Sequence, residues 1–223
     1  LGGGVQVTKH RRPLITALDT QAMVYARLAS GAKLLGYYVF HGGTNPMGKY
    51  STLEESIASG GYSDLPILSY DFQAPLTEYG ERRLSYSYLK ILHLMLCDFG
   101  GQIADAVCVI PPENSNDAQD INGLRISVLK GDTMSLLCLN NHQRHRHMNA
   151  KKNLNITVQG VRFPAIDLEE DETILYPFSW QFEGCQIDYA TAQPLCRIQE
   201  QTATTLFFWN YRNHMELKSG DSV

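Results

Sequence analysis

Apolar and polar positions change their rhythm once along this chain, near residue 104. Before that point, two stretches repeat every three or four residues. Leu14, Ala17, Leu18, Val24 and Leu28 follow Pro13, whose fixed φ suits a first helical turn, and Gly31 closes the stretch. This spacing predicts a helix over residues 14–29. Leu84, Tyr88, Ile91, Met95 and Phe99 recur at steps of 4, 3, 4 and 4 before Gly100 and Gly101, predicting a second helix over residues 84–99 with one apolar face. Between the helices, residues 33–41 form a nearly continuous apolar run closed by Gly42 and Gly43. Such a run predicts a strand buried on both faces, the habit of parallel strands in α/β folds. Residues 44–83 read as a long loop, a length that compact domains usually keep for a functional purpose.

Past residue 104 the helical period disappears. Residues 124–129 alternate apolar with polar, as a half-buried strand does. Residues 134–139, 154–158, 173–176, 185–189 and 204–209 read as further short strands, separated by turn residues such as Lys130-Gly131-Asp132 and Gln159-Gly160. The pattern predicts α/β structure over residues 1–103 and an antiparallel sheet or sandwich over residues 104–223.

Composition narrows the partners. With 43% hydrophobic and 19% charged residues and a net charge of −4, the chain has the make-up of a globular protein and no basic footprint for nucleic acid. No apolar stretch reaches the roughly 20 residues that a membrane-spanning helix needs. Leu1-Gly2-Gly3-Gly4 is neither a start nor a signal peptide, so a targeting segment is expected to lie upstream if there is one. The five cysteines, Cys97, Cys108, Cys138, Cys185 and Cys196, lack the spacing of a zinc site and read as reduced thiols, with a Cys185–Cys196 bridge as the alternative. His142, His145 and His147 sit in a charge-balanced segment that reads as a solvated turn rather than a metal site. Glu169-Glu170-Asp171-Glu172 reads as a solvent-facing acidic run, and Glu78 and Glu81 as dipole-matched charges near a helix start. Asn155-Ile156-Thr157 is a glycosylation sequon.

Two segments carry candidate chemistry. Tyr38-Val-Phe-His41-Gly42-Gly43-Thr44-Asn45 and Ser69-Tyr70-Asp71-Phe72-Gln73-Ala74-Pro75-Leu76 stand in that order, followed by Glu78-x-Gly80 and the second helix. Together they resemble the paired signatures of family 35 glycoside hydrolases, enzymes of the β-galactosidase type. The resemblance covers about residues 1–102. It extends in outline to the β-domain of that family through Asn140-Asn141-His142-Gln143-Arg144 and Tyr189-Ala190-Thr191-Ala192-Gln193-Pro194.

The resemblance implies that residues 1–103 are the last part of a (β/α)8 barrel, with residues 35–40 as its eighth strand and the earlier barrel portion as a missing partner. Barrel enzymes build their sites at the C-terminal ends of the strands. Retaining hydrolysis uses two glutamates about 5–5.5 Å apart, one protonating the leaving oxygen and one attacking the anomeric carbon. The resemblance places the nucleophile immediately before Leu1 and the acid further upstream, so no catalytic residue is expected in the chain and the fragment alone is expected to be inactive. It implies Tyr38, His41, Asn45, Tyr70, Asp71 and Phe72 as substrate-binding residues, a galactoside or oligosaccharide as ligand, no metal or cofactor, and a secreted, periplasmic or lysosomal setting. Phe72 and Gln73 depart from the family's Tyr and Asp, and Phe72 lacks a sugar-binding hydroxyl. Two rival expectations stand beside this one. One is a carbohydrate-binding or interaction module built on the β-half, with Trp180, Phe182, Phe207, Phe208 and Trp209 as stacking surfaces. The other is a family member without catalytic power.

Overall fold

The structure, a computed structural model, describes residues 13–50, 57–60, 68–212 and 214–220. Leu1 to Gly4 and His10 to Arg12 lie outside the described residues. The chain divides into two units, Leu1–Thr20 with Gly36–Leu89 and Gln21–Leu35 with Lys90–Val223. Among the described residues most of the regular structure is antiparallel strand, with two α-helices, α1 (Ala17–Ala29) and α2 (Leu84–Phe99). Among the described residues no helix is long and apolar enough to cross a membrane.

The first helix starts later than its apolar spacing suggests, because Thr16 caps it. The Thr16 Oγ1 accepts from the Asp19 N–H at 3.1 Å, and the Asp19 carboxylate accepts from the Thr16 N–H at 2.8 Å. This reciprocal box satisfies two amide donors that a helix start otherwise leaves orphaned. Pro13 and Leu14 therefore lie ahead of the helix. The second helix occupies the span its pattern predicts.

In the first unit the strands are short. β1 (Gly43–Thr44) pairs antiparallel with β2 (Ser69–Tyr70), and His41 makes a single parallel bridge to Leu76. The strand expected over residues 35–40 is not formed, and no barrel portion is present among the described residues. An apolar run becomes a parallel strand only when neighbours on its edges take its N–H and C=O groups. Among the described residues no such ladder reaches residues 35–40. Leu34 stays 90% exposed and Tyr38 62% exposed. Val39 takes a left-handed backbone (φ 66), which breaks the extended path.

The second unit is built on a six-stranded antiparallel sheet. Its strands are β3 (Val107–Val109), β4 (Ile126–Lys130), β5 (Ser135–Asn140), β10 (Thr173–Phe182), β11 (Cys185–Ala190) and β14 (Leu217–Ser219), in the order β14-β11-β10-β5-β4-β3. Three two-strand ladders surround it: β6 (Lys151–Leu154) with β9 (Ile166–Leu168), β7 (Thr157–Val158) with β8 (Val161–Arg162), and β12 (Gln193–Gln199) with β13 (Thr204–Trp209). The single strand expected over residues 154–158 is two strands broken after Leu154.

Alternation along β5 and β10 sorts the core. Leu137, Leu139, Ile174, Tyr176 and Phe178 share a cluster with Ile156, Val158, Phe163, Ile166 and Leu168. Beyond Ser179, whose backbone is left-handed (φ 47), the aromatic partners change. Phe178 meets Phe163 at 5.8 Å between ring centroids, whereas Trp180 meets Phe99 at 5.2 Å. Trp180 is fully buried and its indole N–H donates to Gln102 Oε1 at 2.8 Å. Helix α1 joins this unit through Gln21 and Tyr25, whose side chains donate to the Tyr211 hydroxyl (2.6 Å) and Gln193 Oε1 (2.9 Å). All five cysteines are free, so the Cys185–Cys196 alternative is not realised, and Cys97 and Cys185 are exposed.

Candidate functional site

The two motif segments meet in the first unit. The Gly42 N–H donates to the Leu76 carbonyl at 2.9 Å, the Leu76 N–H to the Phe40 carbonyl at 3.0 Å, and the Asn45 N–H to the Leu68 carbonyl at 2.7 Å. These bonds stitch residues 40–45 to residues 68–76. Gly42 is required by the closeness of that seam. A Cβ there would stand 2.8 Å from the Glu78 nitrogen and 3.0 Å from Asp71 Cα.

Three rings gather on the seam. Tyr70 and Phe72 are 4.4 Å apart between centroids, Tyr38 and Phe72 5.9 Å, and Tyr38 and Tyr70 6.3 Å, all tilted or edge-on. The hydroxyls of Tyr38 and Tyr70 hydrogen-bond to each other. Phe72 sits at a left-handed backbone position (φ 49), as does Gln73 (φ 55), so the chain turns sharply at the ring cluster.

Two carboxylates hold this loop in place. Asp71 Oδ1 accepts from Arg83 Nη2 and from the Gln73 N–H, at 2.8 and 2.9 Å, while Oδ2 accepts from the Glu78 N–H at 3.0 Å. Partial burial pushes the Asp71 carboxyl upward. The Arg83 and backbone hydrogen bonds together with the Arg83 charge outweigh that, and the group lies below its ordinary value. Glu78 accepts from the hydroxyls of Ser69, at 2.6 Å, and Thr44, and these two bonds hold its carboxyl low as well. In both, the surrounding donors favour the charged, accepting form of the carboxyl.

Gln73 does something the sequence does not announce. Its Oε1 accepts from the Ile15 N–H at 2.9 Å and its Nε2 donates to the Pro13 carbonyl at 2.8 Å, clamping the entry to α1.

Of the six expected binding residues, Tyr38, Tyr70 and Phe72 form one cluster. Asp71 lies directly behind it as an organiser. His41 and Asn45 sit in the adjoining turn, His41 with its Nδ1 on the Gly42 carbonyl. Thr44, Ser69, Glu78 and Arg83 were not singled out as binding or organising groups. Arg83 did carry a signal. A cation just before the first residue of a helix opposes the helix dipole and calls for a nearby carboxylate.

In the second unit, the acidic run is only partly solvent-facing. Asp171 and Glu170 pair with His142 and His147 at 2.7 and 2.8 Å, whereas Glu172 is 7% exposed and held by Arg212 at 2.8 Å. Trp180 and Phe182 belong to the core, so they are not sugar-stacking surfaces, while Phe207 is exposed. A comparison of the chain with known protein families finds no match.

Proposed function

We propose that this chain is part of a retaining β-galactosidase of the family 35 type and contributes a galactoside-contacting face rather than the bond-breaking groups. The supporting observation is the convergence of two motifs 32 residues apart, Tyr38 against Tyr70 and both rings against Phe72. Aromatic rings with hydroxyl edges suit a sugar, whose C–H faces stack and whose hydroxyls hydrogen-bond. In this reading, residues 1–103 form the end of a (β/α)8 barrel, and residues 35–40 become a strand only when earlier barrel strands supply their hydrogen-bond partners. The helix, apolar run, loop and helix order of this region fits such a barrel end, and the β-rich second unit fits the domain that follows it.

Saturation-transfer NMR with methyl β-galactoside tests the binding face. Transfer to the sugar should fall sharply in Phe72→Ala and in Tyr38→Ala. Transfer that survives both substitutions unchanged would refute the assignment. In parallel, the chain alone should release no nitrophenol from nitrophenyl β-galactoside, and turnover at an enzymatic rate would overturn the division of labour.

A further inference from the structure

A cavity of about 340 Å³ lies wholly within the β-rich unit, lined by α1 and by strands β4, β5 and β10. That volume is near the lower end of small-molecule pockets. Ala26, Ala29 and Ile110 contribute apolar surface to it, and Asn140 and Thr173 polar surface. Arg125 is its only charged member among the described residues. Arg125 and Asn140 stand side by side, since the Asn140 N–H donates to the Arg125 carbonyl at 3.1 Å.

Arg125 is left with charge and a donor to spare. Although the residue is partly buried, no carboxylate pairs with it among the described residues. Its Nη1 donates to the His142 carbonyl at 3.1 Å, while its Nη2 is buried and has no hydrogen-bond partner. Buried charges are ordinarily paired, and an orphaned buried donor requires an explanation. The surplus charge is felt nearby. Burial first, and the Arg125 charge second, hold the Lys151 ammonium below its ordinary value against the pull of Asp120. Asp120 itself spends its oxygens on the Ser115 hydroxyl and on the Asn122 and Gly123 N–H groups.

These groups select a ligand class. A cation would add to the uncompensated charge, and a neutral polyol would leave the guanidinium without a counter-ion. A phosphate would bring about two charges to one cation and nothing to cover the apolar surface. A monocarboxylate with an apolar body suits both parts, because a guanidinium fork matches a carboxylate head. Asn140 Oδ1 already accepts from the His142 N–H and the Thr173 hydroxyl, which leaves its side-chain amide to donate to the same head.

We infer that this cavity binds a small organic carboxylate, with Arg125 as its charge partner, Asn140 as a second donor and Ala26, Ala29 and Ile110 as its apolar bed. Because Nη2 is covered by protein atoms, the guanidinium turns toward the cavity as the carboxylate enters. The inference rests on the second unit alone and is independent of the galactosidase reading.

NMR titrations of the full chain with hexanoate and benzoate test it, with hexanamide and benzamide as uncharged counterparts. At least one carboxylate should bind saturably, shift the Arg125 Nε–H signal, and bind about tenfold or more tightly than its amide. Arg125→Gln should weaken that binding by a similar factor. Ala26→Trp should weaken it as well. Ala26 is exposed, so the larger ring narrows the cavity from its outer side and leaves the core untouched. This variant carries the test should Arg125→Gln fail to fold. Absence of saturable binding by both carboxylates would overturn the inference and assign the spare Nη2 donor to water. Amides bound as tightly as carboxylates would overturn it too. So would affinity indifferent to both substitutions, or inorganic phosphate bound in preference to either carboxylate.

Discussion

At Gly42 a single methyl group has nowhere to go. The atoms that a Cβ would meet, at 2.8 to 3.1 Å, are all backbone atoms of Asp71, Thr77 and Glu78, which cannot rotate aside. Gly42→Ala should cost about 1–3 kcal/mol through overpacking and loosen the Asp71–Arg83 seam. Thermal melting of the variant checks the cost, and an unchanged midpoint would show that the seam is slack. Tyrosine chemistry offers a second test at this scale. Tyr37 and Tyr176 are raised to about 12 by burial, and Tyr189 to about 12 chiefly by its hydrogen bond to Glu216. In the unfolded chain such groups titrate near pH 10. Between those values the folded state holds more protons, so the stabilisation is complete below pH 10 and is lost as pH rises toward about 12. Denaturant midpoints should therefore decline across that window, with tyrosinate absorbance rising late for these residues. A midpoint that is flat from pH 10 to 12 would contradict the assigned environments.

Elements were legible where their signal is local. Helix α2 follows from its apolar spacing and its terminal glycines, because both act within a few residues. Helix α1 was readable as a helix, but its start depends on the Thr16–Asp19 box, which outweighs the attraction of Pro13 as a first residue. Thr16→Ala should cost about 1 kcal/mol and lower helicity by circular dichroism, whereas Thr16→Ser should not. Equal helicity in the Ala and Ser variants would remove the cap from the account. Residues 35–40 show the limit of such reading. Strand identity is conferred by neighbours, and an apolar run carries no record of whether those neighbours are within reach. Ser179 shows another limit. Nothing in Tyr176-Pro177-Phe178-Ser179-Trp180 announces a left-handed residue inside a ten-residue strand, yet the aromatic partners differ on its two sides.

Across the whole molecule, the two units differ in how their backbone is secured, and that difference was only half visible in the sequence. The antiparallel character of the second half was readable from alternation. The strands Gln193–Gln199 and Ile166–Leu168 were not, because mixed polar strands paired with one neighbour lack a clear period. The rings of Tyr38, Tyr70 and Phe72, which meet in the structure, stand within the two motifs, while Arg83 and Glu78, which brace Asp71, Thr44 and Ser69, act through space. Strands β5 and β10 each have a ladder on both edges, and nearly every residue from Leu136 to Leu139 and from Ile174 to Phe178 is buried. Strands β1 and β2 share only two residue pairs, Gly43 with Tyr70 and Thr44 with Ser69. Opening the first arrangement exposes a continuous apolar cluster, while opening the second breaks little more than a seam of turn bonds. Hydrogen exchange should therefore be slowest at the amides of β5 and β10 and should approach the global unfolding limit there. The β1 and β2 amides should exchange through local opening, with rates insensitive to substitutions that destabilise the large sheet. Comparable protection in both places would mean that the seam is held by something other than the bonds described, because two residue pairs and a few turn bonds cannot match a sheet paired on both edges.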